Sequence, residues 1–211
     1  ALENVDGAAT TTSTSTIGAG CGATAGKLRG GFGQASREVA GYRVSAAVVA
    51  NPVGEVVDEA TGRLFGAPER APVDPEKFAD LPSPAASLNT TIGVIATNAP
   101  LSKAQLRRLA MCGHDGISWA VRPAHSPLDG DTLFAVSTAA KESTDSPHNS
   151  SSMVDDPAVT TETITTETMT ALCAASSQVV CDAIVHAVVH AEPGYGLPTY
   201  SQLAKSANFA N

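Results

Sequence analysis

Residues 89–98 read NTTIGVIATN, a polar turn at Asn89-Thr90-Thr91 that runs straight into a β-branched apolar stretch, Thr91 to Thr97 (TIGVIAT). A short apolar run bounded by turn formers is the pattern of a buried strand. Outward from it the same pattern recurs. Tyr42 to Ala50 (YRVSAAVVA) reads as a strand that ends at Asn51-Pro52 and resumes from Glu55 to Asp58 after Gly54, and Asp131 to Thr138 (DTLFAVST) reads as another. Between them Ser102 is placed to cap a helix with Ala104, Leu106, Leu109, Ala110, Gly113 and Ile117 at mixed three and four spacing. A longer helix carries Met169, Leu172, Cys173, Ser176, Val179, Val180, Ala183, Ile184, Ala187 and Val188 and ends at Pro193-Gly194. Its broad apolar face calls for a sheet beneath it. The order of elements by itself gives a mixed α/β chain.

Composition narrows the class. The 211 residues suit one domain spanning 1–211, with 43% apolar and only 4% aromatic residues, so the core is filled by closely packed Ala, Val, Ile and Leu. A net charge of −8 without a basic run argues against nucleic acid, whose phosphates demand clustered Lys and Arg. Nowhere do about 18 apolar residues run together, and Ala1 to Thr16 lacks a charged start followed by an apolar stretch, so neither a membrane partner nor an export signal is expected. A cytoplasmic location follows from that reading. The cysteines, Cys21, Cys112, Cys173 and Cys181, form no Cys-x-x-Cys pair and read as free, buried thiols.

Several stretches are not explained by packing. Ala9 to Ile17 is almost all Thr and Ser, and Gly18 to Gly33 (GAGCGATAGKLRGGFG) is so dense in glycine that it reads as a functional loop. Asp58 to Ser87 is rich in Pro, Gly and acidic residues without a period, a surface connection where a chain could be cut. Lys141 to Pro157 reads as a mobile loop, and Tyr195 to Asn211 as a tail anchored by Leu197, Tyr200 and Leu203. Gly26-Lys27 invites a phosphate-loop reading, but Cys21 and Leu28 stand where Gly and Ser or Thr are required. His186 and His190 have zinc-like spacing on a helix but no evident third ligand, and no metal or cofactor is expected. The sequons at Asn89 and Asn149 matter only in a secreted protein.

Thr90 lies between that acidic connection and a rigid strand. A break after Asn89 would give it a free α-amine beside its own hydroxyl. A hydroxyl needs a base, and an α-amine with a pKa near ~8 can serve from the same residue. On these few residues alone, a turn entering a strand is the simpler reading.

NTTIGVIATN, followed by LSKAQLRRLA and HDGISWAVRPAHSPLDGDTLFAV, resembles the DmpA-like family of self-cleaving aminopeptidases, which includes β-peptidyl aminopeptidases and nylon-oligomer hydrolases. The likeness extends back through Gly18 to Gly33 and VVANPVGEVVD (Val48 to Asp58), and forward to the last helix and the PTY ending at Tyr200. It implies a four-layer α-β-β-α sandwich of the N-terminal nucleophile hydrolase kind. It further implies self-cleavage between Asn89 and Thr90, giving parts 1–89 and 90–211, and attack by Thr90 on a short peptide, β-peptide or amide substrate at its amino end. The nylon-hydrolase branch implies that Asp129 and Asp131 orient Thr90 and hold its ammonium, and that Lys27 and Asn51 converge on the nucleophile as oxyanion donors. Each has a plainer reading: Asp129-Gly130-Asp131 as a turn, Asn51-Pro52 as a turn start, Lys27 as a solvated loop charge. His114 and His125 read as structural.

Family precursors carry a long segment ahead of the point matching Ala1, which makes pairing with a missing front segment, or a homo-oligomer, the expected assembly. Two rivals remain: an acyltransferase of the ornithine acetyltransferase type, separable by whether free acid or an acylated acceptor is released, and a non-catalytic assembly protein of the same fold, which would stay uncut.

Overall fold

A computed structural model of the chain describes residues 15–82, 89–139 and 164–205. The expected Lys141–Pro157 loop, the sequon at Asn149 and most of the Thr- and Ser-rich start lie outside the described residues. A short 3-10 turn, Gly18–Gly20, leads into a two-residue pair, β1 (Thr24–Ala25) and β2 (Leu28–Arg29), and then into the main sheet. That sheet comprises β3 (Gly31–Val39), β4 (Tyr42–Ala50), β5 (Ile92–Thr97) and β6 (Thr132–Ser137), in the order β3-β4-β5-β6. The helices are α1 (Pro75–Ala79), α2 (Lys103–Ala120), α3 (Thr166–Val189) and α4 (Tyr200–Leu203).

Three expected strands and both long helices form where the apolar periods put them. Ser102 caps α2 through a box in which it accepts from the Gln105 amide while the Gln105 side chain accepts from the Ser102 amide. β4 and β5 run antiparallel, pairing Val49 with Ile92, and β6 returns parallel to β5 after the α2 crossover, pairing Ile92 with Thr132. The register therefore brings the end of β4 and the starts of β5 and β6 to one edge of the sheet. Helices α2 and α3 lie on a single face, where Leu109, Ile117, Val180 and Ile184 close over Val44, Val48 and Ile95. Buried hydroxyls lock the two helices together: Ser176 donates to the Leu109 carbonyl at 2.8 Å and Ser177 to the Cys112 carbonyl at 2.7 Å.

The structure corrects three local expectations. The glycine-rich stretch is not all loop: its end begins β3, and Gly33 is there because any Cβ would strike the Ala183 carbonyl of α3. Glu55 to Asp58 does not resume a strand. Only single bridges, Glu55 to Arg122 and Val57 to Leu64, form there. The acidic connection holds a helix, α1, whose Asp74 cap accepts from the Glu76 and Lys77 amides and whose Phe78 is fully buried. One apolar residue in a five-residue helix leaves no period to read.

Among the described residues one helix, α3, is long and apolar enough to cross a membrane, and two-thirds of that apolar window is buried inside the protein. All four cysteines are free. Burial pushes the Cys181 thiol up to about 12, and burial plus the Cys112 thiol does the same for Cys173. Neither is a ready nucleophile.

Apart from the small β1-β2 pair, the described residues supply one four-stranded sheet and one helical layer. On the uncovered face Ile92, Val94, Phe134 and Val136 are exposed, Phe134 by 58%. Strands apolar on both faces are those of a sheet meant to be covered on both.

Candidate active site

The edge shared by β4, β5 and β6 gathers five of the residues singled out in the sequence, Asn51, Asn89, Thr90, Asp129 and Asp131. Asn89 forms a parallel bridge with Asp129, and its amide donates to the Leu128 carbonyl at 3.0 Å. The peptide joining Asn89 to Thr90 is held at both ends. Its carbonyl oxygen, on Asn89, accepts from the Gly130 amide at 2.9 Å and from the Thr90 hydroxyl at 2.7 Å. Its N–H, on Thr90, donates to the Asn51 carbonyl at 3.0 Å. One residue further on, the Thr91 amide donates to Asp131 Oδ1 at 2.9 Å.

Asn51 thus reaches the site through its backbone. Its side-chain Oδ1 accepts from the Thr24 amide at 2.9 Å, and the Thr24 hydroxyl lies 3.4 Å from the Asn89 side-chain nitrogen. Thr24 therefore ties the glycine-rich stretch to the bond in question, a contact absent from the sequence reading. Asp129 has a different task from Asp131. Its carboxylate accepts from the Val53 amide at 2.9 Å and from the Ser126 amide and hydroxyl, which makes it a brace between two loops. Asp131 faces Thr91 with one oxygen and His125 Nδ1, 2.8 Å away, with the other.

Lys27 is buried but aimed elsewhere. Its ammonium pairs with Glu59 at 2.6 Å and lies over the Phe78 ring, while its amide donates to Glu55 Oε2 at 3.1 Å. Burial raises the Glu55 carboxyl above its usual range, against the pull of the Lys27 amide and charge.

Sequence reasoning missed Gly130, which lay inside a turn motif. Its amide serves the Asn89 carbonyl, and a Cβ on it would stand 2.8 Å from the Thr90 hydroxyl oxygen, so only glycine leaves that oxygen its place. His125, read as structural, meets the Asp131 carboxylate. His186 and His190, the zinc-like pair, stack with ring centroids 4.2 Å apart, and no cluster of three or more possible metal ligands occurs among the described residues.

The Thr90 hydroxyl thus stands against the carbonyl of its own preceding peptide, two residues ahead of β5. The family model for peptidase family S58 matches residues 1–199. The chain belongs to peptidase family S58. This S58 chain is 42% identical over 205 residues to an uncharacterized aminopeptidase of Mycobacterium leprae, covering 93% of the chain and 54% of that protein. It is 35% identical over 185 residues to the 6-aminohexanoate-oligomer endohydrolase of a Kocuria species, covering 81% and 49%. Among solved structures it superposes on the L-aminopeptidase D-Ala-esterase/amidase of Ochrobactrum anthropi, described as a variant of the Ntn hydrolase fold, with a TM-score of 0.62 at 29% identity, over 88% of this chain and 47% of that one. A Burkholderia β-aminopeptidase gives a TM-score of 0.61 at 25% identity, over 91% and 52%. The fold is thus α/β of the Ntn hydrolase kind, and the chain spans about half the length of the relatives it matches.

Proposed function

We propose that this chain carries the nucleophile of a self-cleaving amide hydrolase, which cuts between Asn89 and Thr90 and then uses Thr90 on short peptide, β-peptide or amide substrates with a free amino end. One observation carries this reading: the Thr90 hydroxyl and the Gly130 amide both point at the Asn89 carbonyl oxygen, at 2.7 and 2.9 Å.

The chemistry follows from that geometry. Thr90 Oγ attacks the Asn89 carbonyl carbon, and negative charge develops on the oxygen that already accepts from Gly130, a preorganised donor where charge appears. The five-membered tetrahedral adduct collapses by breaking the C–N bond. The hydroxyl proton ends on the Thr90 nitrogen, leaving an ester between Asn89 and Thr90 Oγ. Water then cleaves the ester, freeing an Asn89 carboxylate and a Thr90 α-amine. That nitrogen, facing the Asn51 carbonyl, is positioned to take the hydroxyl proton when an external amide arrives. Acylation of Thr90 releases the leaving amine, and a second water releases the acid.

The open sheet face extends the reading. Apolar side chains over adjacent strands mark a surface that is covered in the working protein, so we assign it to further polypeptide, either a front segment of the same gene product or another copy. Intact mass of the purified protein tests the proposal: fragments of residues 1–89 and 90–211 are expected, together with turnover of aminoacyl amides. A chain that stays whole on prolonged incubation with that face covered would overturn it.

A further inference from the structure

We propose that His125 is a positioning residue for the nucleophile, holding the Asp131 carboxylate against the Thr91 amide and so fixing the direction of Thr90. The inference rests on the hydrolase reading for its consequence, but its geometry stands independently.

The Asp131 side chain is 4% exposed, and its two oxygens are divided between the Thr91 N–H at 2.9 Å and His125 Nδ1 at 2.8 Å. Rotating the carboxylate would lose both, so the ring acts as a stop. The other ring nitrogen, Nε2, lies 3.4 Å from the His114 carbonyl on α2. A carboxylate and a carbonyl only accept, so each ring nitrogen of His125 meets an acceptor, one on Asp131 and one on His114. The His125 ring faces the Asp131 carboxylate on one side and the His114 ring of α2 on the other, with ring centroids 5.1 Å apart. His114 is pulled below the usual histidine value first by burial and next by the His125 charge, against the opposing pull of Asp131 and Asp115.

The backbone points the same way. His125 adopts φ 56°, a left-handed conformation that is strained for a residue other than glycine. Such conformations persist where surrounding contacts over-determine them, and they cluster at functional sites. Here the result is a chain of contacts, from α2 through His125 and Asp131 to the peptide that follows Thr90.

The test compares wild type, His125→Ala and His125→Asn, whose amide nitrogen can stand near the Nδ1 position. Three quantities are read: hydrogen exchange at the Thr91 amide, the rate of self-cleavage by intact mass, and the unfolding temperature. In His125→Ala, Thr91 exchange rises and cleavage slows, each about tenfold, as expected for loss of one hydrogen bond to a charged group. His125→Asn recovers most of both. Wild-type Thr91 exchange in His125→Ala overturns the inference, as does slowed cleavage that His125→Asn fails to rescue at equal unfolding temperature. If His125→Ala does not fold, His125→Asn decides: protected Thr91 supports the role and unprotected Thr91 overturns it. A wild-type chain that never cleaves sinks the hydrolase reading alone, since Thr91 exchange still decides His125.

Discussion

Two polar corners lie on either side of Asn51, and they are built differently. At the Thr90 corner the ends of the two strands that flank β5 hold the peptides on either side of Thr90: Asn51 O from β4, and Gly130 N and Asp131 Oδ1 from just ahead of β6. At the Lys27 corner a single long cation reaches out to Glu59, a side chain 60% exposed, with Phe78 beneath it. The first is assembled from backbone and short side chains on a sheet edge, so its geometry is fixed by register. The second hangs on a flexible stem whose partner is in water. Chemistry that needs sub-ångström placement belongs at the first.

That contrast can be broken at several points. Thr90→Ala removes the nucleophile of both reactions, and cleavage and turnover should each fall by roughly a thousandfold or more, read by intact mass and by amide hydrolysis; retained turnover would reassign the nucleophile. Gly130→Ala places a methyl carbon 2.8 Å from the Thr90 hydroxyl oxygen and should slow cleavage about a hundredfold in a folded protein. Normal cleavage in that variant would take Gly130 out of the site. Asp131→Asn should slow cleavage about tenfold with little loss of stability, whereas Asp129→Asn, in a brace between loops, should lower stability by about 1–2 kcal/mol and slow cleavage less. Equal effects on rate would erase the distinction drawn between the two carboxylates. Lys27→Met, at the other corner, should leave self-cleavage within about threefold, the scale of a half-exposed ion pair. A loss as large as that of Gly130→Ala would bring Lys27 into the site.

The smallest effect concerns pH. Burial lowers the affinity of His114 and His186 for protons, and both nitrogens of His186 are buried without a hydrogen bond. Their folded values lie below the unfolded value near ~6.5, so the unfolded chain binds more protons as pH falls through that value. Stability is therefore unaffected by them above about pH 7 and declines on acidification. Unfolding temperatures measured between about pH 5 and 8 should fall toward the acid end, and a His186→Phe variant should fall less. A rise toward acid would contradict that account.

Much of the architecture was legible because it was periodic. β-branched runs gave β4, β5 and β6 nearly to the residue, and Ser102 with Gln105 announced the start of α2. β3 was hidden because Gly31 and Gly33 stand where apolar side chains would mark a strand, Gly31 against Ser15 and Gly33 against the backbone of α3. The site was legible by type and order, with Thr90 before a strand and acidic residues before the next. The division of labour was not: Asp129 and Asp131 look equivalent in Asp-Gly-Asp, yet the turn folds the Asp129 carboxylate back onto Val53 and Ser126, while Asp131, next to β6, meets Thr91 and His125.

The sequence by itself determined a mixed α/β chain, its resemblance to a family of self-cleaving aminopeptidases, and Thr90 as the residue to watch, because element type and nucleophile chemistry are carried by local patterns. Only the tertiary structure decided that Asn51 acts through its carbonyl, that Gly130 rather than Lys27 faces the bond before Thr90, and that His125 stands behind Asp131. Those are contacts between residues far apart in the chain, set by sheet register and helix packing, and no local pattern encodes which atom of a side chain or peptide will meet which.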